Sequence, residues 1–159
     1  VKTVWAQQYD HETLRPVKAR AYELPALSAS ESADIVMLLM RIKKPSPEVV
    51  EAVKAAAAWF DHTKITGKKV ETVSVPGGLA EDPKIKKDRI LVDDPEAAPI
   101  WPRYSELSDN RPFFATREGV KVYDLREVPA ERRVGYSWYG TWGGKVLKKY
   151  PEWLRKFGK

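Results

Sequence analysis

The stretch Ser28-Ala29-Ser30-Glu31-Ser32-Ala33-Asp34-Ile35-Val36-Met37-Leu38-Leu39-Met40-Arg41-Ile42-Lys43-Lys44-Pro45-Ser46-Pro47 carries one complete helix signal and the start of a second. Ser28 and Glu31 have the spacing of a capping box, in which each side chain hydrogen-bonds the other's orphan backbone N–H. The apolar run of Ile35, Val36, Leu38, Leu39 and Ile42 follows. Lys43-Lys44-Pro45 then places cations and a stop at the negative end of the helix dipole. Ser46 is a good N-cap and Pro47 a good first helical residue, because the N–H that proline lacks would be unpaired there anyway. Val49, Val53, Ala56, Ala57 and Phe60 form one apolar stripe, and Gly67 ends it. Two helices joined by so short a link predict an antiparallel αα-hairpin.

Working outward, residues 1–27 contain Pro16 and Pro25 and little periodicity, which predicts an extended approach and a loop. Beyond the hairpin, Val70 to Val75 alternates with period two, Gly77-Gly78 turns, and Arg89-Ile90-Leu91-Val92 supplies a second strand, so a small antiparallel ribbon is expected. Asp93 to Pro102 reads as a loop, Val120 to Tyr123 as a short strand, and Pro129 to Tyr139 as a helix. The tail from Lys145 to Phe157 reads as a helix around Pro151, with Tyr150, Trp153, Leu154 and Phe157 on its apolar face.

The chain has 159 residues, the size of one ordinary domain or part of a larger one. Six Trp, seven Tyr and 43% hydrophobic residues supply a core, which excludes a disordered chain. There is no Cys, so disulfides, thiolate nucleophiles and Cys-based zinc sites are excluded together. The longest apolar run, Ile35 to Met40, is far below the ~20 residues that cross a bilayer, and no membrane partner is expected. A net charge of +6 points to an anionic partner, although Lys and Arg also keep proteins soluble. The opening Val1-Lys2-Thr3-Val4-Trp5, without an initiator Met, reads as a chain cut from something longer.

His11 and His62 lie far apart, each without a second ligand at helical spacing, and read as surface or structural residues. Asp93, Asp94 and Glu96 lack the spacing of a calcium loop, and neither Gly77-Gly78 nor Gly143-Gly144 has the context of a phosphate loop. The arginines are more informative. Arg20, Arg103, Arg111, Arg117, Arg132 and Arg133 sit among aromatics and prolines in non-periodic stretches. Guanidinium forks beside stacking rings suit a polymer that offers carboxylates and ring faces, such as an acidic polysaccharide. The plainer alternative is that each pairs with a local Asp or Glu.

Two blocks of words then carry a family resemblance. The first is Trp5-Ala6-Gln7-Gln8-Tyr9-Asp10, Thr13-Leu14-Arg15-Pro16, Ala19-Arg20-Ala21-Tyr22-Glu23-Leu24-Pro25-Ala26-Leu27-Ser28 and Glu31-Ser32. The second is Pro99-Ile100-Trp101-Pro102-Arg103-Tyr104, Asn110-Arg111-Pro112-Phe113-Phe114, Arg117-Glu118-Gly119-Val120 and Glu131 to Gly140. Over about residues 4–140 the chain strongly resembles the pectate lyases of polysaccharide lyase family 10, the pectic acid lyases. It departs at Tyr9, where the family usually has His, at Pro102, where it usually has a small residue, and over Lys68 to Asp94, which looks individual.

The resemblance implies a mainly α architecture, part of an α/α toroid-like fold of antiparallel helix pairs, here with a small β-ribbon and long loops. It implies that residues 1–159 are the carboxyl-terminal part of a single catalytic domain of a secreted or periplasmic enzyme. The implied reaction is calcium-assisted β-elimination on polygalacturonate. Arg20 matches the family's catalytic base, Arg103 and Arg117 match arginines that hold substrate carboxylates, and Arg111 is either a third such residue or a support for its loop. The calcium ligands are expected mainly in the upstream half, none of them in this chain, and that half is a candidate partner. An arginine base requires a neutral guanidine, which neighbouring cations and alkaline pH would favour.

The principal alternative is a non-catalytic binding module for acidic polysaccharide. A module for glycans in general would use Trp101, Trp138, Trp142 and Trp153 as stacking platforms. A nucleic-acid-binding domain finds no reader motif and only dispersed positive charge.

Overall fold

In the computed structural model, which describes residues 3–158, the chain begins with an extended segment and a two-residue strand β1 (Leu27–Ser28). Helices α1 (Ala29–Leu39) and α2 (Pro47–Thr63) follow, then a ribbon of β2 (Lys68–Ser74) and β3 (Lys87–Asp93). Short strands β4 (Trp101–Pro102), β5 (Tyr104–Ser105), β6 (Pro112–Ala115) and β7 (Lys121–Val122) come next, then a 3₁₀ turn (Leu125–Glu127) and α3 (Ala130–Gly135). The chain closes with β8 (Tyr139–Gly140) and α4 (Trp142–Phe157), which runs through Pro151.

This is a mixed α/β architecture, about 34% helix and 21% strand, and it corrects the expectation of a mainly α, toroid-like fold. The expected helix pair, ribbon and tail helix are all present. The strands that change the class are two to four residues long, too short for a period-two pattern, and lie in Pro- and aromatic-rich stretches. Antiparallel β1-β5-β6-β7 form one sheet, while β2-β3 and β4-β8 form two-stranded pairs. Residues 136–139, expected to continue a helix, are instead extended, because α3 stops at Gly135 and β8 pairs Tyr139 with Pro102.

Two cores result. One is helical: α1, α2 and α4 pack together around Val36, Val53, Phe60, Trp101, Val146 and Trp153. Gly143 permits this close approach, since a Cβ there would lie 2.5 Å from Phe60 and 2.7 Å from Trp101. The second core, beneath the sheet, is aromatic, built on Tyr22, Tyr104, Phe113, Phe114 and Trp138. The residues between Trp101 and Tyr104 bridge the two.

No residue of β2 or β3 is fully buried, so polar contacts hold the ribbon to the body. Arg133, buried in α3, is central. Its Nε donates to Asp88 at 2.6 Å, one Nη to Glu81 at 2.7 Å and the other to the Val128 carbonyl at 2.6 Å. Removing one partner of a buried ion pair costs about 3–5 kcal/mol because the other charge is stranded. Glu81 is half exposed here, so Arg133→Ala is expected to lower stability by about 2–4 kcal/mol in urea titration and to speed amide exchange along β3. Unchanged stability and exchange would show that the ribbon is held elsewhere.

Candidate functional site

Arg103 follows from the bridging position just described. Trp101 faces the helical core and Tyr104 the aromatic core, which turns the side chain between them outward toward the start of α1. The Ala29 N–H donates to the Arg103 carbonyl at 3.0 Å, so the first turn of α1 is docked on the same residue. Glu31 then takes the Arg103 Nη2 at 2.5 Å, while its other carboxylate oxygen accepts from the Ser28 hydroxyl. The capping box read from the sequence is therefore not formed, because Glu31 turns to a guanidinium 72 residues away. The Arg103 guanidinium also lies 5.1 Å from the Tyr136 ring centre and 5.8 Å from Trp142, each contact a modest cation–π attraction.

Arg20 is mostly exposed, at 63%, and its fork is taken by Glu23, with Nε–O and Nη–O distances of 2.9 and 2.5 Å. Glu23 itself is 2% exposed. It also accepts from Tyr136 at 3.1 Å and Gln7 at 3.3 Å. Tyr104 donates to Gln7 at 2.6 Å, and the Tyr104 and Tyr136 hydroxyls lie 2.7 Å apart. The Arg20 pair holds Glu23 down at about 2, despite its burial. Reciprocally, the Glu23 hydrogen bond raises Arg20 well above the ordinary guanidinium value. The sequence reading asked for neighbouring cations that would favour a neutral Arg20. The residue beside it is a carboxylate, which favours the charge.

Arg117 lies in the turn after β6 and is held by both oxygens of Glu131, at 2.6 and 2.7 Å. Gly119 brings this turn against the Arg20 loop. Its φ is +88°, and a Cβ there would lie 2.4 Å from the Ala21 carbonyl oxygen, so only glycine fits. Glu131 also lies 3.5 Å from Arg132, whose guanidinium stands 4.9 Å from the Tyr22 ring centre. Arg20 approaches that ring at 5.1 Å, and Tyr22 meets Tyr136 edge-on at 5.2 Å. Arg20, Arg103 and Arg117 are thus joined in one network around Tyr22 and Tyr136.

Arg111 does not join it. It lies before β6 (Pro112–Ala115) and Arg117 after it, at opposite ends of that strand. Asn110, with a left-handed φ of 63°, is fixed to α2 by the Trp59 indole N–H at 2.7 Å, and Arg111 stacks on Tyr123 at 3.7 Å. Among the six arginines singled out by sequence, pairing with an acid holds for Arg20, Arg103, Arg117, Arg132 and Arg133. Three of the four tryptophans suggested as platforms, Trp101, Trp138 and Trp153, are core residues at most 3% exposed.

A model of the pectic acid lyase family matches residues 1–147. The chain belongs to the pectic acid lyase family. Among solved structures it is similar to a family 10 polysaccharide lyase from Cellvibrio cellulosa, at 34% identity and a TM-score of 0.75. That match covers 98% of this chain and 44% of the other. It is equally similar to a mutant of that lyase in complex with trigalacturonic acid, at 34% identity and a TM-score of 0.75, covering 99% and 44%. The chain therefore spans less than half the length of these lyases. No curated protein matches it.

The sequence reading did not single out Glu23, Tyr104, Tyr136 or Gln7 as site residues, and took Glu31 only as a capping residue. Glu23 follows Arg20 by three residues, and that spacing was the one available signal. Tyr136 was hidden by the expected helix, and Glu31 by the capping box. Among the described residues no group of three or more His, Cys, Asp or Glu side chains is placed to hold a metal, and Glu23, Glu31 and Glu131 are each engaged by an arginine. Asp93 and Asp94 pair with Lys68 and Lys69. These donors do not fit a calcium ion.

Because Glu23 sits at about 2 when folded against an ordinary 4.5, its contribution to stability is present above about pH 4.5. It fades as pH falls toward 2. The stability difference between the natural chain and Glu23→Gln, followed by thermal unfolding, is expected to shrink over that window, and a difference independent of pH would contradict the pairing.

Proposed function

We propose that this chain supplies the arginine-bearing part of a pectate lyase site that cleaves polygalacturonate by β-elimination. The observation that carries the proposal is the Tyr22–Tyr136 network, which presents Arg20, Arg103 and Arg117 together. In the elimination a base removes the C5 proton, the electron pair forms the C4–C5 double bond, and the C4 glycosidic oxygen leaves. Charge develops on the C6 carboxylate, and fixed donors aimed at it lower the barrier.

In this reading Arg103 and Arg117 hold substrate carboxylates. Arg103 is the better preorganised, wedged between Glu31 and the faces of Tyr136 and Trp142. Arg117 is more exposed and steered by Glu131. Arg111, on the far side of β6, supports its hairpin loop. Arg20 is the base that receives the C5 proton. Its Glu23 pair works against the neutral guanidine, so activity is expected to climb into the alkaline range. The chemistry that calcium would supply is a more acidic C5 and a neutralised carboxylate. Its ligands belong to the part of the lyase that this chain does not span. In this reading the enzyme, which acts on a polymer, is secreted or periplasmic.

The test is ultraviolet absorbance of polygalacturonate at alkaline pH with calcium, which rises as the unsaturated product forms. It is run with this chain and with a chain of the relatives' full length. Rising absorbance that Arg20→Ala abolishes is expected from the longer chain, and absence of product from both would overturn the proposal. Arg103→Ala is expected to weaken trigalacturonate binding about tenfold to a hundredfold, the equivalent of one charged hydrogen bond.

Glu23→Gln separates a base from a mere cation at position 20. Removing the carboxylate lowers the Arg20 pKa, so the alkaline limb of the rate profile moves to lower pH if Arg20 is the base. An unmoved limb with retained near-ultraviolet circular dichroism would assign Arg20 to charge stabilisation alone.

A further inference from the structure

One well-formed cavity among the described residues lies away from the arginine network. It lies under the ribbon, has a volume of about 380 Å³, and is lined by Arg89, Phe114, Tyr123, Asp124, Arg126 and Tyr139. A smaller one of about 210 Å³ adjoins it, sharing Arg89, Leu125 and Tyr139. The volume falls within the ~300–1,000 Å³ typical of small-ligand sites, which are mostly apolar with a few converging polar groups.

Its polar groups are unevenly matched. Arg126 is neutralised by Asp124, which takes its fork through bonds of 2.6 to 3.1 Å. Arg89 is half-buried, and its single side-chain hydrogen bond runs from Nη1 to the Tyr136 carbonyl at 2.9 Å. Among the described residues no carboxylate lies within ion-pair reach of it. Tyr139 lines the same space, and among the described residues its hydroxyl has no hydrogen-bond partner. Burial pushes that hydroxyl up to about 12, so it remains a donor at neutral and alkaline pH. One net positive charge, a guanidinium with free donors and a free phenol therefore face an aromatic-walled space the size of a sugar ring.

We propose that the cleft beneath the ribbon binds one uronate ring, the Arg89 guanidinium pairing with its carboxylate, the Tyr139 hydroxyl donating to a ring oxygen or hydroxyl, and Phe114 flooring the space. Bidentate pairing with a planar carboxylate is what a guanidinium does best, and a polar ring with apolar faces suits the mixed lining. This site is separate from the Arg20–Arg103–Arg117 network, since Tyr136 offers its side chain to the network and its carbonyl to Arg89. Its position depends on β3, within the Lys68 to Asp94 stretch. The choice of galacturonate as the ring rests on the reading under Proposed function.

The experiment is nitrogen-edited NMR of the full 159-residue chain titrated with galacturonate, galactose and acetate at equal concentrations, following the Nε–H signals of Arg89 and Arg103 and the Tyr139 ring. Expected is a saturable shift at Arg89 and Tyr139 with galacturonate, at least tenfold weaker with galactose and with acetate. That shift persists in Arg103→Ala and is lost in Arg89→Gln. Because Arg89→Gln also removes a ribbon contact, Tyr139→Phe serves as the second variant, and at least tenfold weaker binding is expected with the fold unchanged. No shift at Arg89 overturns the proposal, as does an equal response to acetate, which would mark a plain anion site, or to galactose. If Arg103 shifts and Arg89 does not, the cleft fails while the lyase reading stands. If Arg89 shifts and Arg103 does not, the lyase reading fails while the cleft stands.

Discussion

Residues 101–104 have to satisfy two cores at once, and the rest of the molecule is arranged around that demand. Trp101 is fully buried against Phe60, its indole N–H donating to the Phe60 carbonyl at 3.0 Å, while Tyr104 is fully buried beside Phe113 and Tyr136. With both large side chains committed in opposite directions, the backbone between them is fixed on both sides. The β4–β8 pair and the Arg103 N–H to Trp138 carbonyl bond at 2.7 Å lock it further. Arg103 consequently projects from a rigid support, unlike the flexible surface arginine that the composition alone would lead one to picture. Sites need that rigidity, because a carboxylate-binding fork works only if its direction is set before the ligand arrives.

Charge is organised on the same principle. Each of the three arginines in the network is oriented by one glutamate, drawn from a nearby loop, from α1 and from α3. Such pairs at partly exposed positions add little to stability. Their effect is to restrict the rotamers of long side chains and to keep the basic surface from repelling itself. The pairing has a chemical consequence as well. It holds the arginines charged, which suits carboxylate binding by Arg103 and Arg117 and opposes proton abstraction by Arg20. In the proposed lyase, the geometry that readies Arg103 and Arg117 for a uronate polymer also sets a demanding requirement on Arg20 as the base.

What could be read from the sequence followed the range of the interactions. The helices α1, α2 and α4 were legible because apolar stripes, breakers and, for α2, the Ser46 cap act within a few residues. The ribbon was legible from alternation over Val70 to Val75. The short strands were not, since two residues such as Tyr104–Ser105 become a strand only when Leu27–Ser28 and Pro112–Phe113 arrive on either side. The family words carried Arg20, Arg103 and Arg117, and the local acid at position 23 was within reach. Glu31 and Tyr136 were not, because their partners lie 72 and 113 residues away, at Arg103 and Glu23. Arg89 was read only as a strand residue. The carbonyl it holds belongs to a segment that the sequence presented as helix.

In the proposed reading, the Tyr22–Tyr136 arginine network recognises the carboxylates of a galacturonate chain. Calorimetric titration of the 159-residue chain with trigalacturonate, set against the same trimer fully methyl-esterified, tests it most directly, since the two ligands differ only in the groups the arginines are said to hold. Saturable binding of the acid is expected, with binding at least tenfold weaker for the ester. Equal affinity for the two would contradict it.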